Sequence, residues 1–308
     1  MTVSSELAVR LARAGLDPAY VERIVTEAVT EDLAGGVDVT SAATVPAEQV
    51  ATVDLVARAA GVVAGLCVAE TAFEVVSRGT SVAVRLLADG DRVSRGDVLM
   101  TVTAPTRALL TAERTALNFL CHLSGIATLT RRWVDAIDGT SAQIRDTRKT
   151  TPGLRALEKY AVRCGGGVNH RMSLSDAALV KDNHVLAAGG VVEAFDSVRR
   201  LWPGHPIEVE VDALSQLDSV LDAGADLVLL DNFDVESIRK AVAVVNGRAR
   251  LEASGGLTLD DARAVAATGV DFLAVGSLTH SAPVLDIAAD MRPVVEVDDS
   301  LGDVGGEG

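Results

Sequence analysis

The chain has 308 residues, of which 48% are hydrophobic and 23% charged, and its formal net charge is −15. This composition is typical of a soluble globular protein with a small N-terminal domain and a larger α/β domain. The acidity argues against nucleic acid or an anionic membrane as a partner, because binding to phosphates needs a basic face. Residues 1–15 lack the apolar segment of a secretion signal, and no apolar run reaches the roughly 18 residues of a membrane span. We therefore expect a cytoplasmic protein.

The N-terminal part is predicted to contain helices and an antiparallel sheet. Residues 7–29 carry apolar side chains at helical spacing, which predicts one helix that ends at the turn-rich segment EDLAGGVDVTS. Residues 50–102 alternate between apolar and polar, with Asp-Gly and Arg-Gly turns, which predicts strands with one helix packed on them. A helical pattern over residues 109–137, expected to be broken at Gly125, connects this part to the rest of the chain. We place the domain boundary near Leu117.

Beyond Gly139, short apolar runs alternate with amphipathic helices, which is the pattern of a parallel sheet or barrel. The predicted strands are AQIRDT, ALVKDN, PIEVEV, DLVLLDN, RLEASGG and DFLAVGS. We assign residues 1–116, joined by residues 282–295, to the N-terminal domain and residues 117–281 to the barrel domain. The acidic, glycine-rich residues 296–308 are predicted to form a disordered tail.

Polar or special residues end each of these strands. They are Asp146, Arg148 and Lys149; Lys181 and Asp182; Glu208 and Glu210; Asp231 and Asn232; Glu252, Ser254, Gly255 and Gly256; Gly276 and Ser277. The carboxyl ends of the strands form one face of a barrel, which predicts a single charged site. A polar strand end often only meets solvent, but Glu208 and Glu210 share one face of their strand, and a carboxylate inside a barrel needs a partner or a metal ion. We favour a functional role for Glu210 and leave Glu208 open.

A cationic segment and two glycine-rich turns indicate an anionic small-molecule ligand. Within residues 146–171 the chain carries Arg148, Lys149, Arg155, Lys159, Arg163 and Arg171 against an acidic background. The turns EASGGL and AVGSLTHS follow the last two strands, where barrels commonly hold phosphate with backbone N–H groups. The sequence has no GxxxxGK[ST] motif and no GxGxxG after a strand, which disfavours P-loop and dinucleotide-binding proteins.

A series of motifs runs in order along the chain: EDLAGGVDVTS, ERTALNFLCHLSGIAT, DTRKTTPGLRALEKYAVRCGGGVNHR, LVKDNH, EVEV, LLDNF, EASGG and VGSLTHS. Together they resemble the quinolinate phosphoribosyltransferase family over nearly the whole chain. The resemblance implies an N-terminal open α/β sandwich plus an incomplete, TIM-like α/β barrel, in at least a homodimer whose partner subunit completes the site. It also implies that quinolinate and phosphoribosyl pyrophosphate, with Mg²⁺, are converted to nicotinate mononucleotide, pyrophosphate and CO₂, a step of NAD biosynthesis.

The resemblance further implies which residues form the site. Motif positions give a substrate-binding set of Arg114, Arg148, Lys149, His170, Arg171, Lys181, Glu210, Asp231, Ser254, Gly255, Gly256, Gly276 and His280, with Arg114 supplied by the neighbouring subunit. The catalytic residues it implies are Lys149, Lys181, Glu210 and Asp231, and the Mg²⁺ ligands are Glu210 and Asp231. Arginine forks suit the two adjacent carboxylates of quinolinate, and carboxylate oxygens suit Mg²⁺ beside substrate phosphates. His184, in LVKDNH, has no assigned role.

Three other functions remain open at this stage. The first is a phosphoribosyltransferase or related transferase that acts on another base; because a dicarboxylate needs one more arginine than nicotinate, the set Arg114, Arg148 and Arg171 favours quinolinate. The second is a Schiff-base aldolase with Lys149 or Lys181 as nucleophile, although such a lysine needs an apolar, desolvated pocket. The third is a binding or sensor protein that holds an anion without turnover.

Overall fold

The computed structural model describes residues 3–292, so the predicted tail of residues 296–308 lies outside the described residues. The helices are α1 Ser5–Arg13, α2 Pro18–Leu33, α3 Val39–Thr44, α4 Leu66–Ser77, α5 Thr106–Ala136, α6 Arg155–Cys164, α7 Asp182–Ala188, α8 Val191–Leu201, α9 Leu217–Asp222, α10 Val235–Val245, α11 Ala262–Ala266 and α12 Ser277–His280. The strands are β1 Val50–Ala57, β2 Gly61–Val62, β3 Val82–Arg85, β4 Arg92–Val93, β5 Val98–Pro105, β6 Gln143–Arg145, β7 Ala178–Val180, β8 Ile207–Val211, β9 Leu227–Asp231, β10 Arg250–Ser254, β11 Phe272–Ala274 and β12 Ile287–Met291.

The N-terminal helical segment is two helices, so the prediction of one helix over residues 7–29 is wrong. Gly15 has a φ of +75°, a left-handed conformation that interrupts the helix after α1. Asp17 then accepts a hydrogen bond from the amide of Ala19 and starts α2, with Pro18 in the first turn, where its missing N–H costs nothing. The apolar spacing persists through the break because both helices bury their apolar faces in one core.

The N-terminal sheet has four antiparallel strands in the order β12-β1-β5-β3. Strand β12 comes from the far end of the described chain and pairs with β1 from Val53 to Ala57. Helix α4 is almost entirely buried and packs against both α5 and the helix α2. The result is a sheet with helices packed against it, as the predicted α/β class requires.

Helix α5 runs unbroken from Thr106 to Ala136, so the predicted interruption at Gly125 is wrong. Gly125 is buried, and a Cβ atom there would lie 2.2 Å from the carbonyl oxygen of Pro283 and 2.9 Å from Cα of Val284. Glycine therefore lets the returning C-terminal segment pass directly over the helix. The helical pattern continues through this position because the hydrogen bonds of the helix do not depend on its side chain.

We expect the Gly125→Ala substitution to lower the melting temperature by roughly 3 to 10 °C, because overpacking against backbone atoms outweighs the better helix propensity of alanine. Thermal unfolding followed by circular dichroism measures the effect. Gly36→Ala is the matched control, since its added Cβ would lie 3.4 Å from the carbonyl oxygen of Leu33, an ordinary contact. An unchanged or higher melting temperature for Gly125→Ala would contradict the close approach.

The second sheet has six parallel strands in the order β6-β11-β10-β9-β8-β7. In the described part of the chain β6 and β7 form its two edges, so the barrel is incomplete, as predicted. Alternate residues of β8 to β11 pack outward against the helices in the hydrophobic core: Ile207, Val209, Val211, Val228, Leu230, Leu251, Ala253 and Leu273. The other face of the same strands carries Glu208, Glu210, Asp231, Glu252 and Ser254. The barrel interior is therefore polar.

Among the described residues, the longest helices are too polar to cross a bilayer, and none meets the length and hydropathy of a membrane-spanning helix.

Candidate active site

The carboxyl ends of four neighbouring strands bring together Lys181, Glu210, Asp231 and Ser254. Ser254 lies opposite Asp231 in the pairing of β10 with β9, and Glu210 lies opposite Leu229, two residues before Asp231. Glu210 and Asp231 therefore face the barrel interior from adjacent strands. Nζ of Lys181 lies 3.0 Å from Oε2 of Glu210, a contact that spans β7 and β8. The single charged face expected from the sequence is present.

The loop after β11 meets the segment after β6, which joins two more of the predicted residue groups. A Cβ atom on Gly276 would lie 3.2 Å from Cδ of Lys149 and 3.3 Å from Nε2 of His280. The hydroxyl of Thr279 donates a hydrogen bond of 2.8 Å to the carbonyl oxygen of Lys149. Lys149 and His280 are both exposed, so they remain available to an anion above this loop.

The turn after β10 packs against Asn232, a strand-end residue that the resemblance did not include in the substrate-binding set. Gly255 has a φ of +92°, and a Cβ atom on it would lie 2.2 Å from Oδ1 of Asn232. The backbone N–H of Asn232 donates to the carbonyl oxygen of Ser254 at 2.9 Å, and its side-chain amide donates to Oδ2 of Asp231 at 2.7 Å. Asn232 itself has a φ of 58°. Asn232 therefore orients Asp231. Asparagine adopts the left-handed backbone conformation more readily than most residues, so its position after Asp231 in the sequence is compatible with this turn. Gly256 follows in an open position.

Arg148 and Arg171 form the cationic part of the interior. The Nε atom of Arg148 is buried and has no hydrogen-bond partner among the described residues. Nη1 of Arg171 donates a hydrogen bond of 2.8 Å to the carbonyl oxygen of Ala177. Burial, and secondly the positive charge of Arg148, lower the pKa of Arg171. Two guanidinium groups that repel each other in a partly buried site favour a ligand with two negative charges between them.

Half of the cationic segment has a structural role instead. Lys159 is fully buried and pairs with Asp146, which is also fully buried. Arg155 donates to the hydroxyl of Thr150 and to a backbone carbonyl, and Arg163 donates to Asn169 and to a backbone carbonyl. These three side chains contact the protein itself, so Arg148, Lys149 and Arg171 are the cations of the segment that remain for the predicted anionic ligand.

We expect Lys159→Met to destabilise the fold by about 3 to 5 kcal/mol, because the Asp146 carboxylate would stay buried without its counter-ion. Burial raises the pKa of Asp146, so without Lys159 this carboxyl adds stability only while it is protonated. The loss should accordingly grow as the pH rises from 5 to 8. Denaturant unfolding at both values measures it, with the exposed Lys240→Met as control; the double variant Asp146→Asn/Lys159→Met should recover part of the loss. A pH-independent loss would contradict the charge explanation.

Below Glu210 the interior holds a second, fully buried charged layer. Glu208 and Glu252 are 3% and 0% exposed, and Nη1 of Arg145 lies 2.7 Å from Oε2 of Glu252. Nε2 of His170 lies 2.7 Å from Oε2 of Glu208. Burial, and secondly the charge of Glu208, raise the pKa of Glu252 to about 8. His170 and Arg171 also line a cavity of about 340 Å³ at the amino-terminal ends of β7 to β10. Glu208, whose role the sequence left open, is thus buried in the barrel interior and does not lie at the carboxyl-end rim with Glu210.

Two residues lie apart from this constellation. Arg114 is exposed on α5, and within residues 3–292 it has no hydrogen bond or ion pair to the other predicted site residues. Its contribution from a neighbouring subunit stays a prediction. His184 accepts a hydrogen bond of 3.1 Å from the backbone N–H of Lys181 through Nδ1. It therefore fixes the start of α7 and the backbone that carries Lys181.

The fold and the site define an α/β-barrel protein whose polar interior is built for anionic substrates. The family model described as "Quinolinate phosphoribosyl transferase, N-terminal domain" matches residues 38–124, and the model described as "Quinolinate phosphoribosyl transferase, C-terminal domain" matches residues 126–290. The chain belongs to the quinolinate phosphoribosyl transferase family and is an enzyme of the phosphoribosyltransferase class.

Individual relatives agree with this assignment. The chain is 54% identical over 272 residues to the nicotinate-nucleotide pyrophosphorylase [carboxylating] of Mycobacterium leprae, which covers 87% of this chain and 95% of the relative. The structure of the nicotinate-nucleotide pyrophosphorylase from Francisella tularensis matches with a TM-score of 0.85 and 37% identity, covering 89% of this chain and 96% of that one. NadC from Streptococcus pyogenes matches with a TM-score of 0.85 and 40% identity, covering 90% and 97%.

Proposed function

We propose that this enzyme transfers the phosphoribosyl group of phosphoribosyl pyrophosphate to quinolinate, releasing pyrophosphate and CO₂ and forming nicotinate mononucleotide for NAD biosynthesis. The observation that carries the proposal is the pair Arg148 and Arg171. Burial and the positive charge of Arg148 lower the pKa of Arg171, and the buried Nε of Arg148 has no hydrogen-bond partner among the described residues. A vicinal dicarboxylate supplies two negative charges at the spacing that arginine forks bind. The relatives' printed names support the same substrate.

A second group of residues in the site suits the phosphoribosyl substrate. Lys149, Gly276 and His280 converge below one loop, and Gly255 and Gly256 form the neighbouring turn beside Ser254. Backbone N–H groups of such turns, together with a lysine point charge, are a common phosphate site in barrels. Lys181 lies next to Glu210 and would contact substrate oxygens where the two substrates meet.

Glu210 and Asp231 would stabilise the transferring ribose. As pyrophosphate leaves, positive charge develops on the ribose ring, and fixed carboxylates facing it lower the barrier. Asn232 holds Asp231 through a 2.7 Å hydrogen bond, so this charge is preorganised. Once the ring nitrogen is alkylated, its positive charge stabilises the electron pair that stays on C2 when CO₂ departs, and C2 then takes a proton from water, so this step requires mainly positioning of the substrate.

Mg²⁺ fits the donors at this position. Glu210 and Asp231 offer hard carboxylate oxygens from adjacent strands, and Glu210 is only partly neutralised by a lysine that remains half-exposed. Mg²⁺ prefers such oxygens together with substrate phosphates and water. When bound, the ion would neutralise the pyrophosphate leaving group, with Glu210 and Asp231 as its protein ligands.

The site is proposed to be completed in a homodimer or higher homo-oligomer by Arg114 of the neighbouring subunit. Arg114 is exposed on its own chain and projects from α5 without an ion-pair partner among the described residues. A third guanidinium would match the remaining charge of a dicarboxylate. The acidic surface and the small anionic substrates favour a cytoplasmic location without nucleic-acid or membrane partners.

The Schiff-base alternative lacks its physical requirement. A nucleophilic lysine needs an apolar, desolvated pocket. Lys149 is exposed, and the side chain of Lys181 is 46% exposed and paired with Glu210. Neither lysine therefore has the surroundings of an amine nucleophile.

The decisive experiment incubates the purified protein with Mg²⁺ and phosphoribosyl pyrophosphate, with quinolinate or nicotinate in parallel, and assays nicotinate mononucleotide and CO₂. Product and CO₂ from quinolinate alone are expected. Product from nicotinate would favour a different base, and tight quinolinate binding without any product would favour a binding protein.

A further inference from the structure

The second charged layer, formed by Glu208, Glu252, His170 and Arg145, contains buried carboxylate oxygens that lack hydrogen-bond donors in the described part of the chain. Both carboxylate oxygens of Glu208, and Oε1 of Glu252, are buried without a hydrogen-bond donor among the described residues. Leaving such oxygens unsatisfied is costly, so residues of this kind are retained where they do something the fold needs. The nearest polar group they share is Nε2 of His170, at 2.7 Å from Glu208 and 3.7 Å from Glu252.

His170 is held on every side that can form a polar contact. Its backbone N–H donates to Oδ1 of Asp146 at 2.8 Å, and its carbonyl oxygen accepts from Nζ of Lys159 at 2.9 Å. On the ring, Nδ1 accepts the backbone N–H of Arg171 at 2.7 Å. Because an accepting Nδ1 carries no proton, the neutral ring must carry its proton on Nε2, which faces Glu208. Glu208 therefore favours the Nε2–H tautomer of His170, which is the tautomer that can accept the backbone N–H of Arg171.

Three atoms of this layer, from His170, Glu208 and Glu252, lie within 4.8 Å of one another and could in principle hold a metal ion. A metal ion on Nε2 would need the lone pair of that nitrogen, which moves the proton to Nδ1. A protonated Nδ1 would then face the backbone N–H of Arg171, donor against donor. The hydrogen bonding of the ring thus favours a proton over a metal ion.

The charges around Glu208 fit the same assignment. Arg145 on β6 pairs with Glu252, Asp146 is balanced by Lys159, and the negative charge of Glu208 acts on the Arg171 guanidinium. Glu252 therefore already has a counter-ion in Arg145, at 2.7 Å. Glu208 is then the carboxylate that interacts with both the His170 ring proton and the Arg171 guanidinium.

We propose that Glu208 is a positioning residue of the quinolinate site: it holds His170 in the Nε2–H tautomer, and the His170 ring in turn fixes the backbone N–H of Arg171, from which the guanidinium extends. This inference rests on the proposed binding of quinolinate by Arg171. Oε2 of Glu208 lies 2.7 Å from Nε2 of His170 but off the axis of the ring N–H, so the nearby acceptor oxygen, more than the net charge of the carboxylate, favours a proton on Nε2. Glu208 would not contact the substrate. It would act through the His170 ring and the backbone N–H of Arg171.

The test compares the parent protein with Glu208→Leu and Glu208→Gln. Loss of the carboxylate in Glu208→Leu should raise the Kd for quinolinate about 10- to 100-fold and leave the Kd for phosphoribosyl pyrophosphate within about threefold. Glu208→Gln, whose amide oxygen can still accept the ring proton, should remain within about fivefold of the parent. Calorimetry measures both ligands separately, and Glu236→Leu on the outer face of α10 is the matched control, since its side chain is 64% exposed.

A second readout does not depend on the proposed reaction. Nitrogen-15 NMR of the histidine rings, with His170 identified by its absence in His170→Asn, should report the Nε2–H tautomer in the parent and in Glu208→Gln, and its loss in Glu208→Leu. An Nδ1–H tautomer in the parent overturns the proposal even where Glu208→Leu fails to fold. Equal weakening of both ligands, or a Glu208→Gln variant as weak as Glu208→Leu, also overturns it, as does a stoichiometric metal ion that disappears in Glu208→Leu. If the parent binds no quinolinate at all, the proposed function fails, while the tautomer result still decides the contact.

Discussion

Replacing Arg171 with alanine is expected to raise the Kd for quinolinate by about 30-fold to several thousand-fold while changing the Kd for phosphoribosyl pyrophosphate less than about threefold. Truncating one partner of a desolvated, hydrogen-bonded charge pair typically costs about 2 to 5 kcal/mol, which corresponds to that range. Arg171 is partly buried and interacts with the charge of Arg148, whereas the glycine-rich turns at Gly255 and Gly276 contact Asn232, Lys149 and His280 instead of Arg171. The selective loss follows from that separation.

The measurement is calorimetric titration of each substrate alone. Arg239→Ala is the matched control, because Arg239 lies on the outer face of α10 with 56% of its side chain exposed. Arg171→Lys should give an intermediate affinity, since lysine keeps the charge but loses the bidentate fork. An equal loss of both substrates in Arg171→Ala would remove Arg171 from the dicarboxylate site.

The companion variant Arg148→Met separates function from folding. Nε of Arg148 is buried without a partner among the described residues, and its charge repels Arg171. The ligand-free Arg148→Met protein should therefore be as stable as the parent or more stable by up to about 1 kcal/mol, while quinolinate binding falls as in Arg171→Ala. Denaturant unfolding without ligand measures the first half. A clear loss of stability would mean that Arg148 serves the fold.

The alternation of residue types along the strands was enough to predict most of the barrel site. Glu210, Asp231 and Ser254 occupy the carboxyl ends of adjacent strands, as the order of apolar runs and polar ends required. The period of two also placed Glu208 and Glu210 on one face correctly. Their depths differ, however: Glu210 is at the rim with Lys181, and Glu208 is sealed below it against His170. How deeply a side chain is buried in the barrel depends on the register of the neighbouring strands, which the sequence of one strand does not determine.

The sequence-based predictions failed for residues whose neighbours in the fold come from distant segments of the chain. The cationic cluster looked uniform in sequence, yet Lys159 is neutralised by Asp146 on another element, because α6 buries that face. Gly125 resembled a helix break, but its lack of a side chain serves a segment more than 150 residues later, at Pro283. Asn232 was named only as a strand-end residue, because its contact with Asp231 depends on a left-handed backbone and on Gly255 after the next strand. Each case is a tertiary contact that overrides a local pattern.

Replacing Asp231 with asparagine is expected to give the opposite pattern to Arg171→Ala, with kcat lowered about 10²- to 10³-fold and the Kd for quinolinate almost unchanged. Removing one preorganised group that faces charge developing in a transition state typically costs that factor. Asparagine keeps the size of Asp231 and an oxygen able to accept from Asn232, so the local structure should persist while the charge is lost. If Asp231 also binds Mg²⁺, the Mg²⁺ concentration for half-maximal rate should rise by about tenfold or more.

Steady-state rates at varied Mg²⁺, with calorimetry for quinolinate, measure the two halves of this expectation. Asp222→Asn is the control, because its carboxylate is 77% exposed on α9 and pairs only loosely with Arg248. Asp231 is a cleaner target than Glu210, since removing the Glu210 charge would also leave Lys181 without its 3.0 Å partner. A variant with normal kcat, or one that loses quinolinate affinity instead, would move Asp231 out of the ribose and Mg²⁺ side of the site. Together with Arg171→Ala, the outcome tests whether substrate recognition and charge stabilisation are separate functions of two ends of one polar barrel interior.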